Sequence, residues 1–294
     1  MKKTPKTAVI GANGFLGKNF FQAYQEVYPD CIGTTRQPGH PNFLDLIKPD
    51  ISHLQLSKKG YKDALVLAAI PNTSICENEK NLTRKVNVDG TLSLIRQLVD
   101  EGVKPVFTSS DYIFDGITGD YEDVALPNPI IEYGSQKSEV ENQIREICGH
   151  NYLTIRLSKV FSLEKGDGSL LDAMANTLAS GGIIQAAYDQ VFCPTLVSDL
   201  IDVVLKIQEM NLMGTINVCS PERWTRYDLA VKLANAMKKN PGNIKRISLD
   251  DLGESFKRPK NTTLLAESLK EKIDYLYTPI DQCIMKVAKN WSYN

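Results

Sequence analysis

Short apolar runs alternate with stripes of helical spacing along the first half of the chain. Thr7 to Ile10 has the length and character of a strand, and Leu16, Phe20, Phe21, Tyr24 and Val27 then recur on one helix face. Cys31 to Thr34 predicts a second strand. Ala64 to Ala69 (Ala-Leu-Val-Leu-Ala-Ala) is continuously apolar, as expected of a strand buried on both faces. Leu92, Leu94, Ile95 and Leu98 predict the next helix, and Val106-Phe107 the next strand. Val140, Ile144 and Ile147 then mark a helix ahead of a strand from Tyr152 to Leu157. Strand-helix alternation of this kind predicts an α/β fold with a parallel, doubly wound sheet.

After Leu157 the pattern loosens. Helices are predicted near Leu170 to Leu178, Val197 to Met210 and Arg226 to Met237, with a short strand at Gly214 to Val218. Prolines at 241, 259 and 279 break up the final stretch, which reads as a smaller, irregular C-terminal lobe. The expected division is a nucleotide-binding domain over 1–160 and a substrate-binding lobe over 161–294, with the chain crossing back to the sheet near 191–219.

Composition narrows the classes. The 294 residues are 42% hydrophobic, enough for a buried core, and the formal net charge of -1 argues against a nucleic-acid partner or a polybasic membrane contact. The basic opening Met1 to Lys6 is followed by only Ala8-Val9-Ile10 before a glycine, far short of a signal sequence. No apolar run approaches the ~18 residues needed to cross a bilayer. Six cysteines are scattered, and the one metal-like spacing, Cys148 with His150, lacks further ligands, so no metal is expected. Spaced cysteines in apolar surroundings read as small core residues, which suggests a reducing cytoplasm.

Three groups of residues carry candidate chemistry. Gly11-Ala12-Asn13-Gly14-Phe15-Leu16-Gly17 lies between the first strand and the first helix, where glycines let backbone approach a pyrophosphate and the helix start offers free N–H donors. The bland reading is a glycine-rich turn. The end of the second strand, Gly33-Thr34-Thr35-Arg36, holds no carboxylate, so Arg36 could pair with a ribose 2′-phosphate; an ordinary exposed arginine is the alternative. Asp45, within Phe43-Leu44-Asp45-Leu46, is placed to meet an adenine amino group or simply to serve a loop.

Tyr133 and Lys137 are four apart, so on a helix a phenol and an ammonium share one face. A nearby ammonium is expected to stabilise the phenolate and bring the tyrosine toward acid/base range. A Tyr/Lys pair is common surface decoration, but this one lies more than a hundred residues past the glycine loop, at the opening of a patterned helix. Ser109 and Ser110 follow the strand Pro105 to Thr108, at the carboxyl edge of the sheet where ligands of such folds bind. Either hydroxyl could donate to a substrate carbonyl, or both could serve as loop caps.

With these residues together the chain resembles the extended short-chain dehydrogenase/reductases, and most closely the dTDP-4-dehydrorhamnose reductases and related sugar-nucleotide reductases. The resemblance runs through Gly11 to Gly17, Leu44-Asp45-Leu46, Asn87-Val88-Asp89-Gly90-Thr91 and Ser109-Ser110-Asp111-Tyr112-Ile113-Phe114-Asp115-Gly116. It continues through Tyr121, Glu122 and Asp123, Arg156-Leu157-Ser158, Asp189-Gln190, Pro194-Thr195 and Arg258-Pro259-Lys260-Asn261.

The resemblance implies a Rossmann-type sheet and NAD(P)H-dependent reduction of a 4-keto group on a nucleotide-linked deoxysugar. It selects Ser110 as the catalytic hydroxyl, Tyr133 as proton donor, and Lys137 as anchor of the nicotinamide ribose. By the same resemblance Gly14, Phe15 and Leu16 hold pyrophosphate, Asp45 and Leu46 adenine, and Ala68, Ala69 and Thr108 the middle of the cofactor, while Ser110 and Asp111 touch the sugar. NADP or NAD is the implied cofactor, with Arg36 favouring NADP. Lys159 stands where these reductases usually carry tryptophan, so a sugar offering negative charge is one expectation. A nucleotide-sugar is the expected partner, and a homodimer a candidate assembly. The competing functions are an NAD-retaining sugar-nucleotide epimerase and a non-catalytic regulatory relative. A dehydratase fits less well, because Tyr112 rather than an acid follows Asp111.

Overall fold

The computed structural model of the chain describes residues 4–253 and 255–292; Met1, Lys2 and Lys3 of the basic opening lie outside the described residues. In chain order the elements are β1 (Thr7–Ile10), α1 (Phe15–Val27), β2 (Asp63–Val66), α2 (Thr73–Asn78), α3 (Lys80–Arg84), α4 (Thr91–Asp100), β3 (Lys104–Ser110), α5 (Glu132–Cys148) and β4 (Leu153–Leu157). There follow β5 (Val160–Phe161), α6 (Leu170–Ala179), β6 (Ile184–Ala187), β7 (Val191–Phe192), β8 (Thr195–Leu196), α7 (Val197–Glu209) and β9 (Gly214–Val218). The last are β10 (Trp224–Thr225), α8 (Arg226–Ala236), β11 (Ile244–Ile247), α9 (Glu267–Lys270) and α10 (Ile280–Ser292).

The chain folds into two compact units. One comprises Met1–Ile113, Pro127–Arg156 and Ile201–Ile216; the other comprises Phe114–Leu126, Leu157–Leu200 and Asn217–Asn294. Nothing in the hydrophobic pattern marks the early excursion at Phe114–Leu126.

The first unit holds a five-stranded sheet of order β1-β2-β3-β4-β9 with flanking helices, the Rossmann-like arrangement of an α/β fold. Register decides where its site lies. Ile10 pairs Val66 and Val66 pairs Phe107, so the chain leaves β1 and β2 at one level of the carboxyl edge, beside the last residues of β3. Ala8, Ile10, Ala64, Val66 and Phe107 share a core with Leu92, Ile95, Val140 and Ile144.

Two strand expectations are corrected. Cys31–Thr34 is no strand but a single parallel bridge, Val9 to Gly33, flanked by Val9 N–H to Ile32 O and Thr34 N–H to Val9 O, each at 2.9 Å. Gly33 has no side chain to pack there, because a Cβ would come within 2.7 Å of Ala12 and 2.8 Å of Phe21. The run Ala64–Ala69 stops being strand at Val66, because the Leu67 and Ala68 N–H groups both donate to Ile10 O at 3.0 Å and turn the chain out of the sheet.

The second unit is organised around its own core of Phe161, Leu170, Leu171, Met174, Phe192, Leu229, Leu233, Ile284 and Val287. Among the described residues its strands pair in twos: β5 with β8 and β6 with β11 in parallel, and β7 with β10 antiparallel. Among the described residues no helix is long and apolar enough to cross a membrane.

Candidate active site at the carboxyl edge of the sheet

The glycine loop is held from both sides. Gly11 has φ +93°, and a Cβ there would lie 2.9 Å from the Ala68 backbone, so the turn out of β1 lies directly against the turn out of β2. Gly17 faces inward: a Cβ would sit 2.0 Å from the Gly11 carbonyl oxygen. Gly14 differs. It is exposed and extended (φ -72°, ψ 170°), and a Cβ would meet only Gly11 O at 3.6 Å, an ordinary contact. The fold therefore requires glycine at 11 and 17 but leaves open space over 14.

Helix α1 starts at Phe15 with Gly14 at its N-cap, no capping side chain and no acid in its first turn, so Phe15, Leu16 and Gly17 begin a helix whose positive end faces outward uncompensated. Two residues that sequence reasoning assigned no role hold the loop. Thr34 Oγ1 accepts from Gly11 N–H at 2.9 Å, and Thr35 Oγ1 accepts from Asn13 Nδ2 at 2.8 Å. Their adjacency to Gly33 was the available signal. Arg36 follows them, exposed.

Asp45 is half-buried and caps its own turn, its Oδ1 accepting the Ile47 N–H at 3.0 Å. Leu46 is buried, and its carbonyl presses on Gly90 so closely that a Cβ there would be 1.7 Å away. Gly90 ends a π-helical turn, Lys85–Gly90, that also carries Asn87. The Asn87 amide grips the backbone after Ala68 and Ala69: Oδ1 accepts Ile70 N–H at 2.8 Å and Nδ2 donates to Ile70 O at 3.0 Å. Leu46 and Asn87 thus meet at one turn, and Asn87 ties that turn to the Ala68-Ala69 segment, half-buried at the sheet edge.

At the end of β3, buried Thr108 donates its hydroxyl to Val66 O at 2.8 Å. Ser109 is buried and its Oγ has no hydrogen-bond partner. Ser110 is half-buried; its Oγ donates to Asp111 Oδ1 at 3.0 Å and accepts Tyr112 N–H at 3.2 Å. The turn Asp111–Ile113 lies on the first turn of α5, since a Cβ on Gly134 would be 1.9 Å from Tyr112 O. That contact brings the Ser110 segment to the helix carrying Tyr133 and Lys137.

Tyr133 and Lys137 do share a face, with Nζ 5.8 Å from the Tyr133 ring centroid and 4.6 Å from that of Phe107. The expected electrostatic effect is corrected. Burial pushes the Tyr133 hydroxyl well above the usual phenol range, with Cys76, Asp111 and Tyr112 adding to the rise. Burial also lowers Lys137 to about 8, against the opposing pull of Glu141 and Cys76. The ammonium donates to Thr108 O at 2.9 Å and faces aromatic rings, so desolvation governs both groups. The chain alone keeps Tyr133 protonated, the state a proton donor requires.

Lys159 belongs to the other unit and is exposed, so no burial cost attaches to its charge; its backbone carbonyl accepts Thr195 N–H at 2.9 Å.

Residues 6–291 match the family described as RmlD substrate binding domain. A probable low-salt glycan biosynthesis reductase of Haloferax volcanii is 27% identical over 87% of this chain and 88% of its own length. Methionine adenosyltransferase 2 subunit beta of Bos taurus is 24% identical over 88% of this chain and 80% of its own. Among solved structures, the dTDP-4-dehydrorhamnose reductase of Bacillus anthracis in complex with NADP superposes with TM-score 0.85 at 22% identity, covering 98% of this chain and 99% of that one.

Proposed function

The chain belongs to the RmlD substrate binding domain family, of extended short-chain dehydrogenase/reductase fold, and on that footing we propose that it is an NAD(P)H-dependent reductase of a 4-keto group on a nucleotide-linked deoxysugar. The observation that carries the reading is that one contact, Tyr112 O against Gly134, joins the Ser110 segment to the helix bearing Tyr133 and Lys137. Solved neighbours bind NADP, as in the Bacillus anthracis reductase, and NAD, as in a dTDP-glucose 4,6-dehydratase from the same organism, which supports a nicotinamide cofactor here.

The residues present fit such a cofactor. The space over Gly14 and the uncapped first turn of α1 suit a pyrophosphate, because backbone N–H donors and the helix dipole both favour an anion. Asn13, Gly14, Phe15 and Leu16 would hold it, Asp45 and Leu46 would meet the adenine, and Ala68, Ala69 and Thr108 would line its middle. Arg36 would pair with a 2′-phosphate. A bound nicotinamide supplies hydride to the carbonyl carbon.

The chain's own groups do the rest. Tyr133, half-buried and protonated, donates its proton to the carbonyl oxygen as charge builds there. The Ser110 hydroxyl, which donates to Asp111 in the free chain, turns to the same oxygen, and Asp111 beside it meets the sugar. Lys137, anchored to Thr108 O, sits beneath the tyrosine and holds the ribose.

The likeness to methionine adenosyltransferase 2 subunit beta favours a second reading, a non-catalytic regulatory subunit. A panel of nucleotide 4-keto sugars assayed for NAD(P)H oxidation separates the two. Turnover that falls roughly 10²–10⁴-fold in Tyr133→Phe supports the reductase. Tight NAD(P)H binding without oxidation of any panel member rejects it in favour of the regulatory subunit. Retention of NAD through gel filtration would point instead to an epimerase.

A further inference from the structure

Helix α5, which carries Tyr133 and Lys137, has no cap of its own. Its N-cap residue is Ile131, whose side chain offers no acceptor, and no side-chain cap bond is made from that position. The first N–H of the helix, at Glu132, is nevertheless satisfied: Glu77 Oε1 accepts it at 2.6 Å from α2, 55 residues earlier in the chain. A carboxylate there meets both an orphan donor and the positive end of the helix dipole.

Glu77 is itself held in place. Lys80 Nζ lies 3.5 Å from Glu77 and 3.4 Å from Glu132, bridging two carboxylates that would otherwise repel. On its other side Glu132 Oε1 accepts from Gln136 Nε2 at 3.1 Å. Gln136 is buried between Tyr133 and Lys137 along the helix, and also donates to Thr83 Oγ1 at 2.9 Å while accepting from Asn87 Nδ2 at 2.8 Å. The polarity of this chain of amides is fixed at both ends by groups that cannot invert, the Ile70 peptide and the Glu132 carboxylate. The first turn of α5 is therefore fixed in rotation as well as in position.

We propose that Glu77 is a positioning residue for Tyr133: from α2 it caps the helix one residue before the tyrosine, and so fixes the height and direction of the phenol over the site. The proposal rests on the reductase reading for its kinetic consequence. α2 begins at Thr73, with two residues between it and the Ala68–Ile70 segment, so the capping carboxylate is carried by the element that follows the loop expected to line the cofactor. A ligand that orders that loop would then also order the start of the catalytic helix.

The test uses the full chain with NADPH and dTDP-4-dehydrorhamnose, together with hydrogen exchange of the amides at 132–135. Glu77→Ala is expected to lower kcat about tenfold, less than the ~10²-fold that a 1 Å misplacement can cost, with KM for NADPH within twofold and faster exchange confined to those amides. Glu77→Gln keeps an acceptor at Oε1 and should recover most of kcat. Lys80→Met, at an exposed position, should lower kcat several-fold by leaving the two carboxylates opposed, and keeps the idea testable should Glu77→Ala fail to fold. Faster exchange with kcat unchanged would overturn the positioning role, and unchanged exchange would overturn the cap itself. Wild-type protein that oxidises no NADPH with any nucleotide 4-keto sugar, yet shows the exchange response, would sink the reductase reading and leave the cap standing.

Discussion

Lys137 Nζ donates to the Thr108 carbonyl at 2.9 Å, so a buried ammonium joins the helix of the tyrosine to the strand that ends in Ser110. Its position has a cost that the reaction is expected to use, because burial brings its ionisation down to about 8.

The first prediction concerns pH. As pH rises through about 8 the free chain loses the Lys137 ammonium, so kcat/KM should fall along a single limb centred there. Stability moves the other way. An unfolded lysine ionises near 10.4, so between about 8 and that value only the unfolded chain holds the proton, and stability rises with pH across this window. Below the window the penalty is fully present. Lys137→Met should therefore stabilise the fold at pH 7, by at most about 3 kcal/mol, and the gain should shrink toward pH ~10. Urea unfolding of both proteins at the two pH values checks this, and a variant less stable at pH 7 would refute it.

Gly14 and Gly17 should part company. Gly14→Val has room within the fold and should leave Tm near the wild type while abolishing NADPH binding, because the open space is where a pyrophosphate would lie. Gly17→Ala drives a Cβ to 2.0 Å from a backbone oxygen and should destabilise by about 1–3 kcal/mol. Calorimetry and thermal melts suffice. Unchanged NADPH affinity in folded Gly14→Val would remove the loop from the cofactor site.

Arg36 is exposed at the end of the segment that clasps the glycine loop. Arg36→Ala should weaken NADPH about tenfold or more and NADH hardly at all, since only the former offers a phosphate to a guanidinium fork. Equal losses for the two would show that the residue selects nothing.

The two serines make opposite predictions. Ser110 already exchanges hydrogen bonds with Asp111 and Tyr112, whereas Ser109 Oγ is buried with no partner. Ser110→Ala should cut kcat by roughly 10²-fold, in the range of a lost oxyanion donor. Ser109→Ala removes an unsatisfied hydroxyl, so it should leave stability unchanged or improved and slow turnover less. The reverse order of kcat values would move the catalytic hydroxyl to Ser109.

Lys159 is solvent-exposed, so the influence on substrate choice expected of it acts through charge rather than burial. Lys159→Trp should raise turnover of dTDP-4-dehydrorhamnose relative to a sugar bearing a carboxylate, with little change in Tm. Identical ratios for the two substrates in wild type and variant would show that Lys159 does not read the sugar.

The sequence by itself determined whatever depends on neighbours along the chain. The alternation of strand and helix, the glycine loop opening α1, and the shared face of Tyr133 and Lys137 all follow from local periodicity and from what a backbone without Cβ can do. Tertiary structure decided what depends on remote neighbours. Cys31–Thr34 reads as a strand, yet it pairs with β1 through the single bridge Val9 to Gly33, where Ala12 and Phe21 leave room only for glycine. Spacing suggested that Lys137 would draw the tyrosine down, but ionisation follows desolvation, and desolvation is set by everything packed around a group. Nothing in the sequence around Glu77 announces a helix end 55 residues away. An apolar N-cap at Ile131 was a missing partner that only the folded chain could supply.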